Sequence, residues 1–225
     1  MLENFTKKIK VLDQNFLTDL ECSDIQNKLL SIKNLWQTSN VVKYFYYLPT
    51  GMYNTSPKAY KKNLSYKPIM YNLFSTYYDR LRSRLTSIFD IDIEYNNDLS
   101  YPGFHISNNE SMSIPNFHYD RFIVGQFLQG RDKLYYANPK YFSLIVPIVL
   151  PSDNSGLLIR TSKSYNNRHD LVYDQELIYT KGMLAIWDGN IEHSIKPFTI
   201  TDENQYRITM QIHLAIGNDK GLLFW

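Results

Sequence analysis

The sequence has a single cysteine, Cys22. No disulfide can therefore form within the chain, and no cysteine-built zinc site exists. Cys22 lies in the helical pattern LTDLECSDIQNKLL, where it reads as a buried filler rather than a nucleophile. No apolar run approaches the ~20 residues that cross a bilayer, and the opening MLENFTKKIKVLDQNF lacks the apolar core of a secretory signal. Charge of one sign is not in excess either. The formal net charge is +2, which argues for neither a nucleic acid nor an acidic partner. Glycine is sparse, and no glycine-rich turn joins a strand to a helix, so nucleotide-binding loops have no support. Repeats, low-complexity tracts and flexible linkers are also absent. These absences leave a chain expected to fold as one domain, 1–225, in a reducing, cytoplasmic setting.

What is present divides into two styles. Leu17 to Trp36 carries apolar residues at near-helical spacing (Leu20, Ile25, Leu29, Ile32 and Leu35), with Thr18 as N-cap. A second helical stretch runs from about Lys67 to Phe89, with Met70, Leu73, Phe74, Tyr77, Leu81, Leu85 and Ile88 along one stripe. Between them the Tyr-, Lys- and Pro-rich stretch Tyr44 to Tyr66 reads as a long loop, a lid or part of a substrate entrance. From about Asp90 short strands take over: IDIEY, GFHIS, FSLIVPIVL, GLLIR, LVYD, ELIYT, MLAIW and YRITMQIHLAI. Pro147 inside the third long apolar run marks an edge or a bulge. Helices followed by strands give an α+β class: a helical layer over about 1–89, packed on a β-sandwich over about 90–225.

The chemistry concentrates in four residues. His118 and Asp120, in NFHYDRF, are two apart, so an extended backbone points both side chains to one face. His193 follows the turn Asp188-Gly189-Asn190. Two histidines and one carboxylate make the facial triad of non-haem iron(II) oxygenases, which leaves the remaining coordination positions open. Arg207 begins a strand whose alternation sets Arg207, Thr209, Gln211 and His213 on one face and Ile208, Met210, Ile212 and Leu214 on the other. A buried arginine needs an anionic partner, and none of its strand-mates is acidic. Either a distant acid such as Glu192 or Asp188 supplies one, or a dicarboxylate from outside the chain does.

The order His118-x-Asp120, distal His193, then Arg207-x-Thr209 resembles the 2-oxoglutarate/Fe(II)-dependent dioxygenases, over roughly Tyr95 to Leu214. The resemblance implies a double-stranded β-helix (jelly-roll) core. It implies iron held by His118, Asp120 and His193, and the C5 carboxylate of 2-oxoglutarate held by Arg207 with Thr209 assisting. It further implies that dioxygen is consumed, that 2-oxoglutarate becomes succinate and carbon dioxide, and that a substrate C–H bond is oxidised. Halogenating relatives have a small residue where Asp120 stands, so Asp120 favours hydroxylation or desaturation. In this family a tyrosine near the long apolar strand often contacts 2-oxoglutarate, which nominates Tyr135 or its neighbour Tyr136.

Other residues carry weaker expectations. His105, His213 and Gln211 are candidates for substrate contact, against the plain alternative of satisfied core residues. His169 reads as exposed loop. Lys58, Lys61, Lys62 and Lys67 alternate with Tyr60 and Tyr66 in a way that suits a nucleic-acid backbone, but a solvated loop is the better default. Relatives that repair alkylated bases have a second arginine where this chain has His213, so no nucleic-acid partner is expected. The substrate expected is a small molecule, such as an amino acid or a biosynthetic intermediate. A protein side-chain hydroxylase and a non-catalytic cupin-like binding protein are the competing readings.

Overall fold

The computed structural model describes residues 9–39, 45–49, 64–108, 117–120, 139–151, 155–161, 172–200, 202, 205–217 and 220–225. The chain opens with strand β1 (Lys10–Asp13) and helix α1 (Asp19–Ser31). Thr18 caps α1 reciprocally. Its hydroxyl accepts from Glu21 N at 3.3 Å, while the Glu21 carboxylate accepts from Thr18 N at 2.9 Å. This satisfies two helix-end donors at once. Short strands β2 (Gln37–Thr38) and β3 (Phe45–Leu48) follow, then helix α2 (Lys67–Phe89). Pro68 sits in the first turn of α2, where its missing N–H costs nothing. Asp90 ends the helix in the left-handed conformation, at φ 55°.

The remaining strands are β4 (Asp92–Tyr95), β5 (Gly103–Ser107), β6 (Lys140–Val149), β7 (Gly156–Arg160), β8 (Gln175–Ile178), β9 (Leu184–Asp188), β10 (Glu192–Ile195), β11 (Arg207–Ile216) and β12 (Lys220–Phe224). Among the described residues they form two sheets, mostly antiparallel. The larger runs β1-β9-β6-β11-β5-β3-β2. One edge of β11 is shared, by β5 along residues 207–211 and by β12 along 213–216. The smaller sheet runs β10-β7-β8, and a single bridge between His118 and His193 extends it.

Alternation along β11 decides which face goes where. Ile208, Met210, Ile212 and Leu214 are fully buried in one cluster with Ile25 and Leu29 of α1 and Phe74, Leu81 and Leu85 of α2. The helices thus cover the outer face of the larger sheet. A fully buried side chain of this size stabilises by roughly 1.5–3 kcal/mol, and truncating Phe74 to Ala would cost about 3–5 kcal/mol. Arg80 of α2 ties the layer together by reaching both oxygens of Glu21 and the Phe16 carbonyl. The opposite face of the sheet carries Arg207, Thr209 and His213, and Ile145 beside Gln211 on that face packs against Leu157 and Ile159 of the smaller sheet.

Several elements differ from the sequence pattern. Leu20 is 83% exposed, and the true inner stripe of α1 is Cys22, Ile25 and Leu29. The Tyr44–Tyr66 stretch contains β3, which pairs with β5. The first 89 residues therefore give three strands to the larger sheet as well as its helices. LVYD is no strand in its described part: the Val172 carbonyl accepts from Arg160, and Asp174 accepts from Thr161. Pro147 marks a bulge rather than an edge. It lies in β6 between β9 and β11, where the register slips between Ile208 and Thr209 and the missing N–H is absorbed.

Candidate metal and anion site

The bridge that extends the smaller sheet does the first work of assembly. His118 N donates to His193 O and His193 N to His118 O, both at 3.0 Å. That pairing brings the two imidazoles within 4.6 Å of each other, centroid to centroid. Asp120 then falls between them, with one carboxylate oxygen 3.7 Å from His118 Nε2 and the other 3.4 Å from His193 Nε2. One ligand atom from each residue lies within 4.8 Å of the others. Asp120 and His193 are buried, whereas the His118 side chain is 40% exposed and marks the open side.

The protonation states suit a cation. His193 Nδ1 lies 3.0 Å from the Ile191 carbonyl, which only accepts, so Nδ1 carries the hydrogen and Nε2 presents its lone pair. Burial lowers the His193 pKa to about 4, against the pull of Asp120, so this imidazole is neutral at neutral pH. Burial works to raise the Asp120 pKa. The surrounding His193, His213 and His118 and the Ser143 hydroxyl outweigh that, and the carboxyl is held below its ordinary range. Two imidazoles and one carboxylate therefore form an open donor set that fits Fe(II) or a similar divalent ion.

Arg207 is the second feature. It is fully buried at the start of β11, opposite Ser107 of β5. None of its three guanidinium nitrogens has a hydrogen-bond partner among the described residues. Its neighbours are rings: Tyr179 at 5.5 Å and Phe198 at 5.3 Å from the guanidinium carbon. Neither Glu192 nor Asp188 neutralises it. Glu192 faces Arg160 at 4.0 Å, and Asp188 accepts from Asn190. The Tyr179 hydroxyl is likewise buried without a hydrogen bond of normal geometry, and burial raises its pKa while nearby Arg207 works against that rise. A guanidinium and a phenol that lie side by side, neither with a hydrogen bond of normal geometry among the described residues, fit a carboxylate. Thr209, on the same face, accepts from Gln211 Nε2 at 2.9 Å, which leaves its own O–H free to donate.

His105 and His213 complete this face. His105 sits opposite Thr209 and Tyr47 in the ladder, with rings of Phe45, Tyr47 and Trp225 at 5.0, 5.1 and 4.9 Å. Both its nitrogens are inaccessible and without a partner among the described residues. Burial, with Arg207 adding to it, holds its pKa well below the usual value. Burial also lowers His213, which stacks on Trp225 at 5.7 Å and 8°.

Tyr135, Tyr136, His169, Lys58, Tyr60, Lys61 and Lys62 lie outside the described residues. Lys67 is described. Its ammonium binds the Asn96 and Asn97 carbonyls at 2.7 and 3.1 Å, a structural task. Sequence reasoning missed Tyr179, one of 19 tyrosines with nothing local to single it out. It also missed Ser143, which did carry a signal, because a polar residue inside FSLIVPIVL must find a buried partner.

No family model matches the sequence, and no curated protein matches it. Solved structures do. HygX from Streptomyces hygroscopicus, solved with nickel, 2-oxoglutarate and hygromycin B bound, aligns at a TM-score of 0.51 and 10% identity, over 94% of this chain and 84% of that one. HygX with nickel and 2-oxoglutarate alone aligns over the same shares at 0.51 and 9% identity. An N-substituted L-amino acid dioxygenase from Burkholderia ambifaria gives 0.47 and 14%, over 76% and 73% of the two chains. The chain thus has the fold of HygX, a protein seen with a divalent metal and 2-oxoglutarate together, and it sets His118, Asp120 and His193 close enough to share one metal ion.

Proposed function

We propose that the protein is an Fe(II)- and 2-oxoglutarate-dependent oxygenase that hydroxylates or desaturates an unactivated C–H bond of a small molecule. The observation that carries this is a pairing of two features. An open two-histidine, one-carboxylate cluster is accompanied by an arginine that has no counter-ion among the described residues. A metal alone explains the first, and a carboxylate alone explains the second. One molecule that chelates the metal at one end and carries a carboxylate at the other accounts for both together. The strand orders β5-β11-β6-β9 and His118-β10-β7-β8 support the finer description of the core as a double-stranded β-helix in a single-domain chain. HygX, which holds hygromycin B beside its metal and 2-oxoglutarate, supports a small-molecule substrate.

Each residue then has a task. His118, Asp120 and His193 hold the ion, with His193 locked in its ligand tautomer by Ile191. Arg207 and Tyr179 grip the distal carboxylate of 2-oxoglutarate, assisted by the Thr209 hydroxyl. The bound iron and 2-oxoglutarate supply the oxidation, consuming dioxygen and releasing succinate and carbon dioxide. Tyr179 and Phe198 flank the Arg207 guanidinium and help exclude water from it, while Phe45, Tyr47 and Trp225 enclose the neighbouring His105 ring.

Succinate formation from 2-oxoglutarate in air, with and without added Fe(II), tests the proposal. Iron-dependent succinate that vanishes in Asp120→Ala supports it. Absence of both succinate and iron uptake by the folded wild type refutes it. Candidate substrates are then ranked by how far each accelerates succinate release.

A further inference from the structure

The bridge that fixes the metal-binding loop is made at His118, two residues before Asp120. The aspartate carboxylate must therefore be oriented through its side chain. Ser143 provides that contact. It lies on β6, in register between Trp187 of β9 and His213 of β11, and it is 2% exposed. Its hydroxyl donates to Asp120 Oδ2. A carboxylate only accepts, so Ser143 gives it the one hydrogen it has. Ser143 Oγ is then left as an acceptor for His213 Nδ1 at 3.4 Å, which puts the His213 hydrogen on Nδ1. The His213 ring stacks on Trp225. Trp225 is itself pinned, since its indole N–H donates to the Pro49 carbonyl at 3.1 Å. The ring also lies so close over Gly103 that a Cβ there would come within 2.3 Å of it. Gly103 is thus the residue that gives Trp225 its seat.

We propose that Ser143, backed by His213 and Trp225, is a positioning residue that sets the orientation of the Asp120 carboxylate toward the metal. By committing Oδ2 to a hydrogen bond it favours binding of the ion through a single carboxylate oxygen. That mode matters, because a carboxylate that closes on the ion with both oxygens takes up a position needed for cosubstrate or dioxygen. The inference rests on the reading of His118, Asp120 and His193 as the metal ligands.

Anaerobic titration with Co(II), followed by its visible ligand-field absorption, tests this without turnover. Ser143→Ala is expected to weaken Co(II) binding about 10–100-fold and to change the band shape, while the far-UV circular dichroism of the metal-free chain stays at its wild-type value. Ser143→Thr, which keeps the hydroxyl, is expected to restore both affinity and spectrum. His213→Phe, which keeps a ring against Trp225, is expected to weaken binding by less than Ser143→Ala. Wild-type affinity and spectrum in Ser143→Ala would overturn the role of Ser143 alone, as would a Ser143→Thr variant no better than the alanine. A wild-type chain that takes up no cobalt would overturn the metal reading, and this inference with it.

Discussion

Two arginines in this molecule have opposite surroundings, and the contrast separates structure from function. Arg80, between the two helices, is partly exposed and fully used. Its guanidinium meets both oxygens of Glu21 and the Phe16 carbonyl. Arg207 is fully buried and has no hydrogen bond among the described residues. The first is an ordinary surface clamp, worth at most about 1 kcal/mol. The second costs the fold several kcal/mol of desolvation. On the proposed reading, an anion from outside the chain offsets that cost. Removing each charge should therefore have opposite effects on the stability of the free chain.

The contrast can be broken most severely at the candidate metal cluster of His118, Asp120 and His193. Asp120→Ala is expected to abolish Fe(II) uptake, measured by anaerobic titration, and with it all binding of 2-oxoglutarate that depends on the metal. Arg207→Met comes next. It should raise the 2-oxoglutarate requirement at least a hundredfold, since two charge-assisted bonds at about 1.5–3 kcal/mol each are lost. Iron affinity should stay near wild type, and the metal- and ligand-free chain should melt at a higher temperature, because a lone buried charge has gone. A lower melting temperature would mean that Arg207 has a structural partner after all.

Smaller effects sharpen the comparison. Tyr179→Phe removes one neutral hydrogen bond and should weaken 2-oxoglutarate about threefold to tenfold, at ~0.5–1.5 kcal/mol per bond. Glu21→Gln should leave 2-oxoglutarate and iron untouched and destabilise the chain by about 1 kcal/mol at neutral pH. Its pH dependence has a defined sign. The Arg80 hydrogen bonds lower the Glu21 pKa from 4.5 to about 2. The contribution is thus fully present above pH 4.5 and fades as pH falls toward 2. Denaturant melts of wild type and Glu21→Gln should converge over that window, and a gap that persists at pH 2 would show that the charge was not the cause.

How much of this was legible in the sequence varies with what each segment packs against. The helix α2 shows its full 67–89 span because one face meets a single apolar partner and the other meets water. The Thr18-to-Glu21 cap was visible in part, as a residue type at the right position. Strands β3 and β12 were not visible. FYYL and KGLLF lie against other groups on both faces, so they show no alternation, and FYYL sits in a stretch that otherwise reads as loop. Strand β10, four residues of mixed polarity, is made by its pairing with β7 rather than by propensity. At the site, the polar alternation of β11 was readable because it follows from strand geometry, whereas His118 and Asp120 lie in no strand and only His118 joins a ladder, by an isolated bridge. Tyr179 and Ser143 were not assigned, because their neighbours come from elements distant in sequence.

The central claim is that the His118–Asp120–His193 cluster and Arg207 bind two ends of one molecule. Addition of 2-oxoglutarate to the Fe(II)-loaded chain without oxygen tests it most directly. A weak visible charge-transfer band should appear in wild type, be absent in Asp120→Ala, and require far more 2-oxoglutarate in Arg207→Met. An iron-loaded wild type that shows no band, or an Arg207→Met variant that develops it at the wild-type concentration, would contradict the claim.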